Sequence, residues 1–460
     1  MTAFDFCLSP AGFSVALLGF GRANRAVLDW LTAHGGCATV YAEAPIPSEV
    51  MRRYRSSAIF RQGGFNTHLN EQILVRSPGV RPDIPAIADA LERGALLTGE
   101  TELLTALCPC RIIGVTGSDG KTTTASLAAA LLRAVGRRVW LGGNIGTPLL
   151  PRAGEMRSDD IVVLELSSFQ LMTRHAHPTA AVITNVTPNH LDWHKSMSEY
   201  EWAKQNIFAD GTRLVLNAEN AVTARIGAAR PLGETLFFSA EAKDATFAES
   251  LLSGAGGVYA EGDTVYVVEN GKERAFRCLD AFRLAGRHNL ENLLAAIGVT
   301  APFLDDLAPR TALAAFTGVK HRLQYVGEVL GVKYYNSSID TSPTRTAAAL
   351  AALGGKPLVI AGGRGKGVSF APLATALCRH AKAVYLYGEA AGEIAAALEG
   401  KFPYKIFSRF ADAFSAAAGD AAAGDTVLLS PACTAFGEFR DFEQRGEAFC
   451  RLVETLKIRE

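Results

Sequence analysis

Residues 111–136 read RIIGVTGSDGKTTTASLAAALLRAVG. An apolar run, RIIGVTG, has the composition of a buried strand, and TTTASLAAALLRAVG has that of a helix. The turn between them, Gly117-Ser118-Asp119-Gly120-Lys121-Thr122-Thr123, is a phosphate loop by its place in the chain. Successive backbone N–H groups at such a strand–helix junction curl round an anion at the helix N-terminus. Lys121 is placed to reach the terminal phosphates of a nucleotide, and the Thr122 hydroxyl to ligate Mg²⁺. The strict GxxxxGK[ST] spacing fails, because Val115 stands where its first glycine belongs. The loop is therefore a variant of the common form.

Outward from this loop the chain alternates short β-branched runs with alanine- and leucine-rich segments, the pattern of parallel sheets covered by helices. The fold class is α/β, in three domains: 1–105, 106–318 and 319–460. FSVALLGFG (13–21) feeds the helical RANRAVLDWLTAHG, and ATVYAEA, QILVRSPGV and ALLTGE supply further strands of a Rossmann-like unit. RVWLGGNIG, DIVVLELSS and AAVITNVT continue the central sheet, in which GGVYAEGDTVYVVENGKERAFRC predicts an antiparallel hairpin turning at Asn-Gly. KYYNSS, PLVIAGG, KAVYLYG, YKIFS and DTVLLSP form the strands of a third, again Rossmann-like, unit. A second glycine-rich turn, Gly19-Phe-Gly21-Arg-Ala-Asn24 with Glu43 further on, is close to the dinucleotide fingerprint but carries Asn24 in place of its third glycine. Two phosphate loops in two domains suit a ligase with two nucleotide-like substrates better than a hydride-transfer enzyme.

Composition narrows the classes. The 460 residues carry 46 basic and 46 acidic side chains with no basic run, which argues against nucleic acid or an anionic membrane as partner. No apolar run reaches the ~18 residues of a membrane span, and MTAFDFCLSPAGF lacks the basic start of a secretory signal, so the expectation is a soluble, cytoplasmic monomer. Of eight cysteines only Cys108 and Cys110 lie close together, and a lone CxC lacks a second pair for zinc; all are read as reduced core thiols.

Three downstream segments end where sheet strands should end. GGNIGTP offers Asn144; LELSSFQL offers Glu165, Ser167 and Gln170; TNVTPNHLDWHKSMSEYEWAKQNIF offers His190, Asp192 and, on a helix, Lys204. A carboxylate, a histidine and a hydroxyl at strand C-termini beside a phosphate loop suit Mg²⁺-assisted phosphoryl chemistry. His190 and His194 make an HxxxH pair without the glutamate of a zinc helix, and His175 and His177 are read as surface or packing residues.

TGSDGKTTT, GGNIG, ELSSFQL, PNHLDWH, GRHNLENLLAA, His321-Arg322 and LSPACTAFGEFRDFEQRG, in this order and spacing, resemble the Mur ligases. ELSSFQL and the SPAC…FEQRG stretch are most similar to the branch that adds D-glutamate to UDP-N-acetylmuramoyl-L-alanine. The resemblance implies a UDP-substrate domain, a central ATPase domain and an amino-acid domain. It implies that ATP phosphorylates the substrate carboxylate and that the D-glutamate amine displaces phosphate from the acyl phosphate. It gives Gly117 to Thr123, Asn289, Asn292 and Arg322 to ATP. Two Mg²⁺ fall to Thr122, Glu165, His190 and Lys204, the last carried as a carbamate. Catalysis falls to Lys121, Asn144, Glu165, His190 and Lys204, and the substrates to Gly21, Asn144, Ser167, Gln170, Lys366 and Phe442.

The chain departs from the commoner pattern in places. Asn336-Ser337-Ser338-Ile339 stands for Asn-Asp-Ser-Lys, with Asp340 adjacent and Arg345 nearby; Ala435 stands for a serine; residues 42–44, AEA, replace an Asp-Thr-Arg run. Other readings are a sister Mur ligase, a folylpolyglutamate synthase-like enzyme and an inactive nucleotide-binding module. Lys121, Glu165, His190 and Lys204 together argue against the last.

Overall fold

A computed structural model describes residues 2–64, 68–173, 178–229, 235–241, 256–284, 286–398 and 400–458. The first sheet holds β1 (Val15–Leu18), β2 (Ala38–Ala42), β3 (Ala58–Gln62), β4 (Ile73–Arg76) and β5 (Leu96–Thr98), in the order β3-β2-β1-β4-β5. Every neighbouring pair is parallel. The order reverses beside β1, and the Gly19–Asn24 turn leaves its C-terminal end, where a doubly wound sheet opens a crevice.

The second sheet holds β6 (Arg111–Thr116), β7 (Val139–Gly143), β8 (Ile161–Glu165), β9 (Ala180–Ile183), β10 (Arg213–Asn217), β11 (Thr235–Phe238), β12 (Gly256–Glu261), β13 (Thr264–Glu269) and β14 (Lys272–Arg277). Its order is β14-β13-β12-β11-β10-β9-β6-β8-β7. The strands from β7 across to β12 run parallel; β12, β13 and β14 run antiparallel. The Asn-Gly signal marks the second of two turns here, with Asn270 and Gly271 both at positive φ as a tight hairpin demands. The single hairpin expected from the sequence is thus a three-stranded ribbon. β8, IVVLE, is buried at every position, as a strand covered on both faces must be.

The third sheet holds β15 (Gln324–Val329), β16 (Val332–Asn336), β17 (Leu358–Gly362), β18 (Ala383–Tyr387), β19 (Tyr404–Phe407) and β20 (Thr426–Leu429), ordered β15-β16-β20-β17-β18-β19. Only the β15–β16 pair is antiparallel. β15, QYVGEV, was not legible: it carries a glycine and an irregular register at Tyr325/Gly327.

The chain divides into two compact units, Met1–Phe316 and Thr317–Glu460. In the first, one apolar core runs from Val15, Leu17 and Val75 of the first sheet to Val162, Leu164 and Leu214 of the second. The opposite face of the second sheet is covered by the helices Lys121–Ala134 and Arg287–Thr300, whose Leu127, Leu131, Leu293 and Ile297 are fully buried. Each such side chain contributes about 1.5–3 kcal/mol, so the helix behind the phosphate loop is firmly seated.

All eight cysteines are free, but only Cys7, Cys278 and Cys433 are buried; Cys37 and Cys378 are exposed, which corrects the core-thiol expectation. Cys108 and Cys110 are half-buried with sulfurs 3.1 Å apart. His175 and His177 lie outside the described residues. No helix among the described residues is long and apolar enough to cross a membrane.

Candidate functional site

The phosphate loop is fastened from behind. Ser118 N–H donates to Asn185 O at 2.8 Å, Asp119 N–H to Asn185 Oδ1 at 2.9 Å, and Thr184 Oγ1 to Asp119 O at 2.5 Å. Two glycines are steric requirements. Gly120 sits at φ +79°, and a Cβ there would fall closer than 3.0 Å to Asn292 Oδ1; Gly117, at φ +146°, leaves no room beside Thr184 Oγ1. Lys121 folds its ammonium back over the loop, donating to Gly117 O at 3.0 Å and Ser118 O at 2.8 Å.

Thr122 Oγ1 donates to Glu165 Oε2 at 2.8 Å, and Asn144 Nδ2 to Glu165 Oε1 at 2.8 Å. Glu165 is 1% exposed at the end of β8, next to β6 in the sheet, while Asn144 follows β7 on the other side. Three sequence-distant motifs therefore meet on one carboxylate. Thr122 and Glu165 offer the hard oxygen donors that Mg²⁺ prefers. Among the described residues no three His, Cys, Asp or Glu side chains gather to hold a metal by themselves, the HxxxH pair included. His194 is instead buried, with Nε2 hydrogen-bonded to Ser168 Oγ at 2.9 Å.

Lys204 lies on the helix Met197–Gln205, which starts at Ser196, whose side chain accepts from Glu199 N–H. Lys204 is 1% exposed; its Nζ donates to Gly117 O at 2.7 Å and stands 4.5 Å from the Tyr200 ring centroid. Burial first, and Lys121 second, hold its ammonium well below the ordinary lysine range. His190 is exposed at φ +54°, its ring 4.9 Å from Phe169 of the SSFQL loop. Ser167 and Gln170 engage each other: Ser167 N–H and Oγ both donate to Gln170 Oε1 at 2.9 Å, and Gln170 Nε2 donates to Thr101 Oγ1 at 3.2 Å. Asn292 is buried and accepts from Thr124 Oγ1 at 3.2 Å; Asn289 is half-buried on the same helix.

In the first sheet Asn24 explains the absent third glycine. It is fully buried, and Nδ2 lies 2.8–3.1 Å from Leu18 O, Gly19 O and Val75 O, tying the turn to the sheet. Gly21 caps the helix Arg22–Ala33 beside a groove of about 520 Å³ lined by Phe20, Arg22, Arg25, Pro148 and Arg152. Glu43 is exposed beyond β2.

Within Thr317–Glu460, Lys366 Nζ donates to Thr341 Oγ1 at 3.0 Å, so the residue that follows the NSSID stretch and the AGGRGKG loop face one another. Phe442 opens the helix Phe442–Ile458, with its ring 6.1 Å from that of His321; Arg322 is exposed beside it. Arg445 of the same helix is completely buried. It donates to Ser338 O at 2.9 Å, Ser338 Oγ at 2.9 Å and Cys433 O at 3.2 Å, joining the NSSID and SPAC segments. Asp340 is buried and accepts from Ser430 Oγ at 2.8 Å; burial raises its carboxyl above the usual range.

Two family models match the chain, the Mur ligase middle domain over residues 115–300 and the Mur ligase glutamate ligase domain over 321–433. Proteins named UDP-N-acetylmuramoylalanine--D-glutamate ligase are similar over nearly the full length. That of Symbiobacterium thermophilum is 39% identical, covering 96% of this chain and 98% of its own. That of Acetivibrio thermocellus is 37% identical, covering 98% of each. The chain belongs to the Mur ligase family. It is accordingly an ATP-dependent ligase that forms amide bonds. Among solved structures, UDP-N-acetylmuramate-alanine ligase MurC from Thermotoga maritima shares the fold at TM-score 0.55 and 19% identity, over 97% of this chain and 100% of that one. MurF from Acinetobacter baumannii does so at TM-score 0.55 and 15% identity, over 95% and 93%.

The reading from residues missed the supports of this Mur ligase site. Asn185 lies in TNVTPNH, five residues before His190, and its polar side chain straight after a buried strand was the available signal. Tyr200, whose hydroxyl shares a 2.9 Å hydrogen bond with Ser118 Oγ, carries no local signal of that role. Glu100 and Glu102, both buried, gave no signal, because an acidic first turn is common on exposed helices.

Proposed function

We propose that this Mur ligase joins D-glutamate to the alanyl carboxylate of UDP-N-acetylmuramoyl-L-alanine, with ATP converted to ADP and phosphate, in peptidoglycan precursor synthesis. Full-length likeness to ligases of that name supports the substrate pair. The observation that carries the chemistry is the convergence of Thr122 and Asn144 on buried Glu165 beside Lys121. Domains 1–105, 106–318 and 319–460 bind the UDP-sugar, ATP and the amino acid.

The carboxylate of the substrate is a poor acyl donor, and phosphorylation gives it a leaving group. Backbone N–H groups in the first turn of the helix Lys121–Ala134 hold the phosphates at its N-terminus, on a loop that Asn185 fastens through the Ser118 and Asp119 N–H groups. Lys121 moves from its two carbonyl partners to the γ-phosphate, where it stabilises charge that grows as phosphoryl transfer proceeds. Thr122 and Glu165 would be the oxygen donors for one Mg²⁺, with His190 and Lys204 serving a second; bound Mg²⁺ would supply positive charge to offset that of the reacting groups. Asn144 holds Glu165 in register and presents its amide to the reacting groups. Ser167 and Gln170 exchange their mutual hydrogen bonds for the muramoyl-alanine end. Gly21 and the groove beside it receive the UDP diphosphate, which Arg22, Arg25 and Arg152 suit by charge. Asn289, Asn292 and Arg322 serve the nucleotide, and Lys366 and Phe442 the D-glutamate, with Thr341 beside Lys366. ATP and UDP-linked substrates locate the reaction in the cytoplasm.

Lys204 is carried as a carbamate. A buried amine whose ammonium is disfavoured is nucleophilic towards CO₂, and the N-carboxylate would offer a second Mg²⁺ an oxygen ligand. Lys204→Ala is then nearly inactive and partly restored by acetate; retention of most activity in CO₂-depleted buffer refutes the carbamate. Phosphate release with UDP-N-acetylmuramoyl-L-alanine, compared across D-Glu, L-Glu and L-Lys, tests the substrate pair. D-Glu alone should support turnover, and equal rates with L-Lys would reject it.

A further inference from the structure

Between β4 and the helix Pro85–Glu92 runs RSPGVRPD, residues 76–83, with an arginine near each end. Neither arginine has a part in the chemistry above, yet both leave the first sheet for the second. Arg76 is 2% exposed. It donates to Pro78 O at 3.0 Å and Val80 O at 2.9 Å, stiffening its own loop, and to Phe169 O and Thr173 Oγ1 of the SSFQLMT segment. Thr173 in turn donates to buried Glu102 at 2.5 Å.

Arg81 grips the other catalytic segment. It donates to Trp193 O at 2.7 Å and to Glu199 Oε1 at 2.8 Å, and its guanidinium lies 4.9 Å from the Trp193 ring centroid. Asp83 holds the same guanidinium at 2.8 and 3.0 Å. Trp193 answers with its indole N–H on Gly79 O at 3.0 Å, so the contact runs both ways. Arg81 holds the Glu199 carboxyl down to about 2, so the pair stays charged.

Glu199 stands in the first turn of the helix Met197–Gln205. One residue on, Tyr200 bonds Ser118 of the phosphate loop, and Lys204 bonds Gly117. That helix is therefore held at its start by the first sheet and along its length by the phosphate loop. At the other end of the path, Ser77 N–H donates to Leu18 O at 2.8 Å, and the Ser77 side chain packs against Gly19. A continuous series of contacts thus joins the Gly19–Asn24 turn to the phosphate loop.

We propose that residues 76–83 are a two-point clamp, with Arg76 and Arg81 as positioning residues that fix the span between the UDP-binding turn and the phosphate loop. The inference rests on the reading of the two loops under Proposed function. A substrate anchored by its diphosphate in the first domain must deliver a carboxylate to the γ-phosphate in the second. A fixed span makes the two ligands assist each other, because either one finds the other's subsite already in register.

Arg81→Met keeps the aliphatic stem over Trp193 and removes the fork, and Arg81→Lys restores the charge alone. Calorimetry should give binary Kd values for a non-hydrolysable ATP analogue with Mg²⁺, and for UDP-N-acetylmuramoyl-L-alanine, within about twofold of the unaltered enzyme. The gain in affinity for one ligand when the other is bound should fall by about tenfold, and kcat with it. Arg81→Lys should recover part of both, and Trp193→Phe, which removes only the indole N–H, should show a smaller loss of the same kind. Unchanged coupling and kcat in Arg81→Met overturn the clamp. So does loss of both binary affinities, which marks a general structural role, and should Arg81→Met not fold, unchanged coupling and kcat in Trp193→Phe decide against it. Absence of D-glutamate-dependent turnover in the unaltered enzyme rejects the proposed function instead.

Discussion

Substituting Gly120 by alanine separates two costs that the phosphate loop carries. The first is conformational: alanine at φ +79° costs about 1–2 kcal/mol relative to the right-handed region. The second is steric. The new Cβ falls closer than 3.0 Å to Asn292 Oδ1 and 3.2 Å from its Cγ, so the buried amide must move. Moving it breaks the Thr124–Asn292 hydrogen bond and leaves buried polar groups unpartnered, at about 1–3 kcal/mol. Together they predict a loss of about 2–5 kcal/mol. Gly136→Ala is the internal control: it sits at φ +76° with nothing within 4 Å, so only the conformational cost of about 1–2 kcal/mol applies. All four tryptophans lie in Met1–Phe316, so urea unfolding followed by tryptophan fluorescence reports on the unit concerned. Gly120→Ala should also lose nucleotide affinity, whereas Gly136→Ala should not. Equal destabilisation by the two substitutions, with nucleotide binding intact in both, would refute the close approach of Asn292.

Lys121→Ala should lower turnover by about 10²–10³-fold or more with an unchanged circular dichroism spectrum, since it removes charge stabilisation rather than core packing; near-normal phosphate release would exclude the assignment. Burial pushes the Glu100 carboxyl up to about 7 despite the Leu150 N–H that it accepts. Between about 4.5 and 7 the folded state then holds a proton that the unfolded state has lost, so stability falls as pH rises, by at most about 1.4 kcal/mol per unit. Glu100→Gln should flatten that slope in melting experiments between pH 5 and 8, and an unchanged slope would count against it. Arg445→Met should destabilise Thr317–Glu460 by about 2–6 kcal/mol, because Ser338 O and Cys433 O lose their buried donor. Calorimetry reads this as a shifted transition, and an unmoved one would contradict the buried network.

The parallel order and the phosphate loop were legible because both write themselves locally. Strand, glycine, lysine and helix follow one another over 111–136, and Gly-Lys-Thr has few other uses at such a junction. Lys204 was reached only through resemblance: by composition a lysine in SEYEWAKQ belongs on a solvated face, and its burial under the phosphate loop is set by contacts 87 residues apart. Arg76 and Arg81 were unreadable for the same reason. Their partners, Phe169 and Glu199, lie 93 and 118 residues away, and no local pattern announces an arginine that serves another sheet. The Asn24 substitution was readable as a departure, but its cause, three carbonyls around one buried amide, needed the fold.

The central claim is transfer of phosphate to a carboxylate before amide formation. UDP-N-acetylmuramoyl-L-alanine labelled with ¹⁸O in its alanyl carboxylate, turned over with ATP, Mg²⁺ and D-glutamate, tests it by mass spectrometry of the released phosphate. An acyl-phosphate route transfers one labelled oxygen to each phosphate released, alongside the D-glutamyl product. Product formed with unlabelled phosphate would contradict it.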